Sequence, residues 1–260
     1  MLRTVTVTRY VEPLREGGSV PAIVEADDDG TYVLKFRGAA QGARALVAEL
    51  VAGEIGRALG LPVPEIVFAR LDVDLGRAER DPEIQTSILA SGGVNLALDF
   101  LPGALAFDPL AGDEIDPALA SRVVWFDAFV TNMDRTLRNP NLLRWHKRLW
   151  LIDHGAALYF HHNWSTALQR ARAPFAPVRE HVLLPYATQL AQVDGALAAR
   201  LSPTYLRTLL DEVPDAWLAP VPELPTPGLQ RAAYLSYFSE RLGAPRGFVE
   251  EAIHARGAHV

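Results

Sequence analysis

The chain has 260 residues, 49% hydrophobic and 22% charged, which excludes a mostly disordered polymer, and Gly 19 with Pro 19 excludes a collagen-like one. Lys+Arg 25 against Asp+Glu 31 leaves a net charge of -6, so no general positive field exists to hold nucleic acid or an anionic membrane. Without cysteine there is no disulfide, thiolate metal site or cysteine nucleophile; without a signal-peptide core or a run of ~18 apolar residues, a cytoplasmic protein that does not span a membrane is expected.

Alternation of apolar and polar residues predicts a strand over Thr4 to Val11, and Glu16-Gly17-Gly18-Ser19 reads as a turn. Pro21 to Glu25 is a second candidate strand. Asp27-Asp28-Asp29-Gly30 is a hairpin signal leading into Thr31 to Phe36, a third strand rich in β-formers. From Ala43 to Leu59 the period becomes helical, with Leu46, Val47, Leu50, Val51, Ile55, Ala58 and Leu59 forming one stripe. Gly60-Leu61-Pro62 ends this helix, and Val63 to Leu71 predicts another strand. A polar stretch, 72–82, precedes a strand near Gly92 to Phe100 that enters a connector at Leu101-Pro102-Gly103.

Beyond the connector the pattern is mainly helical: Pro117 to Val130, much of Pro185 to Leu201, Pro203 to Leu210 and Gly228 to Leu242. One hairpin interrupts it, Leu142 to Trp145 and Leu149 to Ile152 about a His146-Lys147 turn. Val213 to Pro227 carries five prolines and reads as a rigid surface connection. The expected class is α+β, with a β-rich lobe over 1–97, a hinge at 98–104 and a helical lobe over 105–260.

The densest polar cluster, 131–141, lies between an apolar helix and that hairpin, where a rigid scaffold displays functional groups. Asp134, Asn139 and, after the hairpin, Asp153 followed by Gly155 would bring two carboxylates and an amide oxygen to one mouth, a donor set suited to magnesium and phosphates. Taken alone, such a loop more often caps helices and pairs internally. Lys35, in a strand after the Gly17-Gly18-Ser19 turn, could reach phosphates that the turn's N–H groups cover. Its acidic partner is Glu49 or Glu54, and the helical wheel places Glu54 in the apolar stripe and Glu49 outside it.

The stretches YVLKF (32–36), AELVAGEIGRALGLPVPE (48–65), NMDRTLRNPNLL (132–143) and LIDHG (151–155) resemble the HipA-like kinases, a bacterial branch of the protein-kinase-like fold distantly similar to phosphatidylinositol 3/4-kinases. The resemblance implies a bilobal fold and an ATP- and Mg2+-dependent transfer, with Mn2+ as an alternative cation, to a hydroxyl acceptor, foremost Ser/Thr of a protein. Glu49 stands eleven residues before Gly60, as the family's helix glutamate does, so the resemblance selects Glu49 over Glu54 as the partner of Lys35. It further implies that Lys35 binds the α/β-phosphates and that Gly17, Gly18 and Ser19 cover them. Asp134 would accept the acceptor proton, Asn139 and Asp153 would hold magnesium, and Asp99, Phe100 and Leu101 would present backbone groups to adenine. Ser19 is a candidate for self-modification.

Thr136 departs from the histidine found at that place in many family members, and the long N-terminal subdomain of the family's toxin is not expected here. Direct nucleic-acid binding is not expected either. A catalytically dead or slow nucleotide-binding module and a small-molecule or lipid kinase are the competing readings. Among Asn132, Arg135, Arg138 and Asn141, Arg135 is expected to brace the loop, and Arg138 stays open between bracing and charge stabilisation. His154 and His161-His162 are expected to be solvated or near phosphate, without forming a metal site. The five tryptophans read as packing residues.

Overall fold

The computed structural model describes residues 2–14, 21–38, 42–79, 81–112 and 114–258. The Gly17-Gly18-Ser19 turn lies outside them. Five strands close into a barrel: β1 (Thr4–Pro13), β2 (Ala22–Ala26), β3 (Thr31–Lys35), β4 (Ile66–Leu71) and β5 (Gly93–Asp99), in the order β1-β2-β3-β5-β4. All pairings are antiparallel except β1 with β4, which is parallel and closes the ring.

The two-residue period of the strands sorts their side chains. Val5, Val7, Val24, Leu34, Val67, Ala69 and Ala97 fill the barrel interior. Ile66, Phe68, Leu96 and Leu98 face outward into a second, larger core shared with the helices. Lys35 therefore turns out of the barrel between the buried Leu34 and Phe36, on the side where helix α1 (Gly42–Ala58) lies. Helix α2 (Pro82–Ala90), within and beyond the polar stretch, was not legible in the sequence. Its Ile84 and Ile88 plug the barrel interior, and Asp81 caps its start.

Helix α1 is buried continuously from Leu46 to Gly53. No single apolar stripe exists, because the barrel covers one side and helices cover the other. Its end is fixed by Gly60 at φ 72, a conformation that favours glycine, and by guanidinium groups from two later helices. These are α3 (Pro117–Phe129) and α5 (Leu190–Arg200). Arg122 donates to the Leu59 and Gly60 carbonyls at 2.7 and 2.8 Å, and Arg200 to Leu59 at 2.9 Å, satisfying acceptors that a helix terminus leaves open.

Strands β7 (Leu142–Trp145) and β8 (Arg148–Leu151) form the expected hairpin, with His146 and Lys147 at φ 46 and 64 as a left-handed two-residue turn. A short strand β6 (Leu105–Ala106) adds to β7, and Trp145 Nε1 donates to the Pro102 carbonyl, so the connector after β5 is stitched to the hairpin. After a short helix α4 (Trp164–Ala167) come α5, α6 (Pro203–Asp211), α7 (Pro227–Leu242) and α8 (Gly247–Gly257). Helix α5 starts only at Leu190, since Pro185 sits in a separate turn, Leu184–Tyr186.

The proline-rich connection is not confined to the surface. Val213, Trp217 and Leu218 are buried, and Trp217 packs edge-on against Phe68 and donates to the Val94 carbonyl. Trp125 and Trp217 are core residues, in line with a packing role. Among the described residues no helix is long and apolar enough to cross a membrane.

Gly60→Ala is expected to lower stability by about 1–2 kcal/mol, since an L-residue at that φ is strained and its Cβ would lie 3.2 Å from both capping guanidinium groups. Denaturant unfolding of the variant checks this.

Candidate active site

Three elements distant in sequence meet at Lys35. Its Nζ donates to Asp153 Oδ1 at 3.0 Å and lies 3.8 Å from Glu49 Oε2. Glu49, on α1, is 1% exposed. Glu54 is turned to the other side, where it pairs with Arg57 at 3.1 Å. The wheel misleads because α1 is covered all round, so position relative to the stripe does not report which carboxylate faces the lysine.

Glu49 has further donors. The His154 backbone N–H donates to Oε2 at 3.0 Å, and His154 Nδ1 lies 3.3 Å from Oε1. Burial alone would raise the Glu49 carboxyl, but the Lys35 charge and the His154 hydrogen bonds outweigh it and hold the group below the ordinary carboxylate range. Burial likewise opposes the Lys35 ammonium, while Glu49 and Asp153 more than compensate and keep it charged.

Asp134 is partly exposed and held by amides. Asn139 Nδ2 donates to Asp134 Oδ2 at 2.7 Å, Asn141 Nδ2 to the Asp134 carbonyl at 2.9 Å, and the Asp134 N–H to Asn132 Oδ1 at 3.1 Å. Below this loop lies a buried charge cluster. Arg135 Nε donates to Asp127 Oδ2 at 2.6 Å, and its Nη1 reaches the Asn141 and Ile152 carbonyls. Asn132 Nδ2 donates to Asp127 Oδ1 at 2.8 Å.

His181 completes the cluster. The Leu183 N–H donates to its Nδ1, which leaves Nε2 as the proton-bearing nitrogen that donates to Asp127 Oδ2 at 2.9 Å. Burial would raise the Asp127 carboxyl, yet Arg135 and His181 drive it far below its usual range. Arg135 thus braces the loop from beneath. Asp127 carried a readable signal, a lone carboxylate inside the apolar run Val123 to Val130. His181 carried none.

The turn at 17–19 is outside the described residues. The Asp99 and Phe100 amides are spent on the Glu65 and Thr31 carbonyls, and Leu101 is buried. His154 and His161 are not solvated. Both are buried, His161 bonds the Tyr234 hydroxyl at 2.8 Å, and burial pushes His161 down to about 3, which keeps it neutral.

Asn139 and Asp153 offer hard oxygens suited to magnesium. With Nδ2 committed to Asp134, the Asn139 amide oxygen is the end left to face a cation, and Asp153 retains an oxygen beside the one facing Lys35. Among the described residues no three His, Cys, Asp or Glu side chains gather as a metal cage. Two oxygen donors would leave a magnesium ion most of its shell to fill from other ligands.

Two predictions follow from the buried carboxylates. Each has a depressed folded-state pKa, so each contributes stability that is present above the unfolded value and is lost as pH falls. Stability against urea should fall progressively from pH 4.5, the ordinary value of Glu49, towards its folded value of about 2, and Glu49→Gln should flatten part of that slope. Arg135→Met, which leaves Asp127 buried without its cation, should cost about 3–5 kcal/mol, with Arg135→Met/Asp127→Asn losing less than the single change. Denaturant titration of wild type and the three variants, repeated across pH for wild type and Glu49→Gln, measures both.

The chain is similar in structure to the Helicobacter pylori proinflammatory kinase CtkA, at a TM-score of 0.56 and 12% identity, covering 100% of this chain and 99% of that one. The Golgi casein kinase with Mn/ADP bound gives 0.47 and 11% identity, covering 94% and 75%. A search of curated proteins finds no match. The likeness to CtkA shows a shared mixed α+β fold. The family model described as HipA-like kinase matches residues 7–231, and the chain belongs to that family.

Proposed function

We propose that the protein is an ATP- and magnesium-dependent kinase that transfers the γ-phosphoryl group to a hydroxyl, foremost Ser or Thr of a protein. In this reading residues 1–97 form the phosphate-side lobe, 98–104 the hinge and 105–260 the lobe carrying the catalytic loop. The observation that carries it is the meeting of Lys35 with Glu49 and with Asp153, 118 residues away in sequence. A strand lysine held charged between two carboxylates is poised for phosphate. Of the two carboxylates Asp153 is the more open to a cation, because Glu49 is buried and takes two bonds from His154.

The roles are those the family resemblance implies, read with the chemistry of phosphoryl transfer, in which the protein mainly positions groups and stabilises charge. Lys35 would bind the α/β-phosphates, with Gly17, Gly18 and Ser19 covering them and the Asp99 to Leu101 backbone meeting the base. Asn139 and Asp153 would hold magnesium, which when bound offsets phosphate charge. The acceptor oxygen attacks the γ-phosphorus, the bond from that phosphorus to the β-γ bridging oxygen breaks, and ADP leaves. The acceptor's proton passes to Asp134. Its Oδ2 already accepts from Asn139, so Oδ1 is the oxygen left for the incoming proton.

The test pairs binding with transfer. A thermal-shift titration with ATP should show a magnesium-dependent rise that Asp153→Ala abolishes. Asp134→Asn should keep that rise while transfer to a peptide or protein acceptor falls about 10²–10⁴-fold. No shift with ATP under any condition, or unchanged transfer by Asp134→Asn, overturns the assignment.

A further inference from the structure

His154 is fully buried, yet its backbone N–H and its ring Nδ1 both face the Glu49 carboxylate. Because that carboxylate is an acceptor, Nδ1 is the nitrogen that carries a proton towards it. Nε2 is itself buried with no hydrogen-bond partner. The ring packs edge-on against Phe126, with centroids 5.7 Å apart. A phenylalanine would make that contact without burying an unpaired nitrogen. Packing alone therefore does not account for histidine here, whereas the bond to Glu49 does.

The arrangement also divides the work on Glu49. Oε1 faces the imidazole, while Oε2 is shared between the His154 amide and Lys35. When phosphates and a cation compete for Lys35 and Asp153, the two His154 bonds still fix the carboxylate. The same residue follows Asp153, whose backbone sits at φ 53, a conformation seldom adopted by non-glycine residues. Anchoring the His154 N–H to α1 holds that turn in place.

We propose that His154 is a positioning residue, which orients Glu49 by its ring hydrogen bond and through Glu49 sets Lys35 for nucleotide phosphates. The proposal rests on the kinase reading above. Two substitutions separate hydrogen bonding from packing. His154→Asn keeps an N–H donor near the Nδ1 position and loses the ring, while His154→Phe keeps a ring and loses the donor.

Calorimetric titration with Mg-ATP, steady-state kinetics and melting of the unliganded proteins give the readouts. His154→Phe should bind Mg-ATP about tenfold or more weakly, with KM for ATP rising, and should melt below wild type because Oε1 of the buried Glu49 loses its donor. His154→Asn should melt lower yet bind within about threefold of wild type. Equal binding by His154→Phe and wild type, or equal losses in both variants, overturns the positioning role alone. Failure of the wild type to bind Mg-ATP overturns the kinase reading and this inference with it. Nitrogen-15 NMR of the wild-type imidazole needs no variant: a protonated Nδ1 is expected, and an unprotonated Nδ1 overturns the proposal.

Discussion

A carboxylate 1% exposed in the middle of a helix is the constraint around which this molecule is arranged. An unpaired buried charge would cost several kcal/mol, so Glu49 needs donors. They come from strand β3 through Lys35 and from the turn after β8 through the amide and ring of His154. Barrel, helix and hairpin must therefore hold one mutual register. The barrel supplies it by alternation, since Leu34 and Phe36 fill interior space and Lys35 is left facing α1.

Asp127 repeats the solution one layer down. Its two oxygens receive Arg135, His181 and Asn132, and those residues in turn grip the loop that displays Asp134. Thr131, Asn141, Asp153 and Leu158 all adopt positive φ in the segments around these clusters. Non-glycine residues hold such conformations only where surrounding contacts over-determine them. Here the Leu158 N–H bonds the Val130 carbonyl and the Ile152 N–H bonds the Asn141 carbonyl, tying the two loops together.

Strand alternation and turn chemistry made β1, β2, β3, β5 and the β7–β8 hairpin readable, and the helices with clean ends, α1, α3, α6 and α7, were equally so. Helix α2 was hidden because its nine residues follow a polar stretch and bury only Ile84 and Ile88. The Val213 to Pro227 segment looked like surface from its prolines, which report stiffness and say nothing about the depth of Trp217. At the site, the spacing of Asp134, Asn139 and Asp153 was legible, and the choice of Glu49 came from family resemblance against the helical wheel. His154 as a partner of Glu49 was not legible, because the contact spans 105 residues and no local pattern encodes it.

The attachment of α1 decides which parts of the cluster can adjust. Its last carbonyls are capped by Arg122 and Arg200, and the Glu54 carbonyl accepts from the Tyr205 hydroxyl at 2.9 Å. These donors all sit on helices beyond the connector, so α1 is fastened to that layer as well as to the barrel. An outward swing of the helix would strip its carbonyls of these partners and leave Glu49 without His154. Lys35 is freer, since its ammonium ends a flexible four-carbon stem and its shortest contact is with a partly exposed Asp153. In the proposed kinase reading, adjustment to a phosphate would therefore fall on the lysine, which could exchange Asp153 for a ligand oxygen while Glu49 stays where His154 holds it.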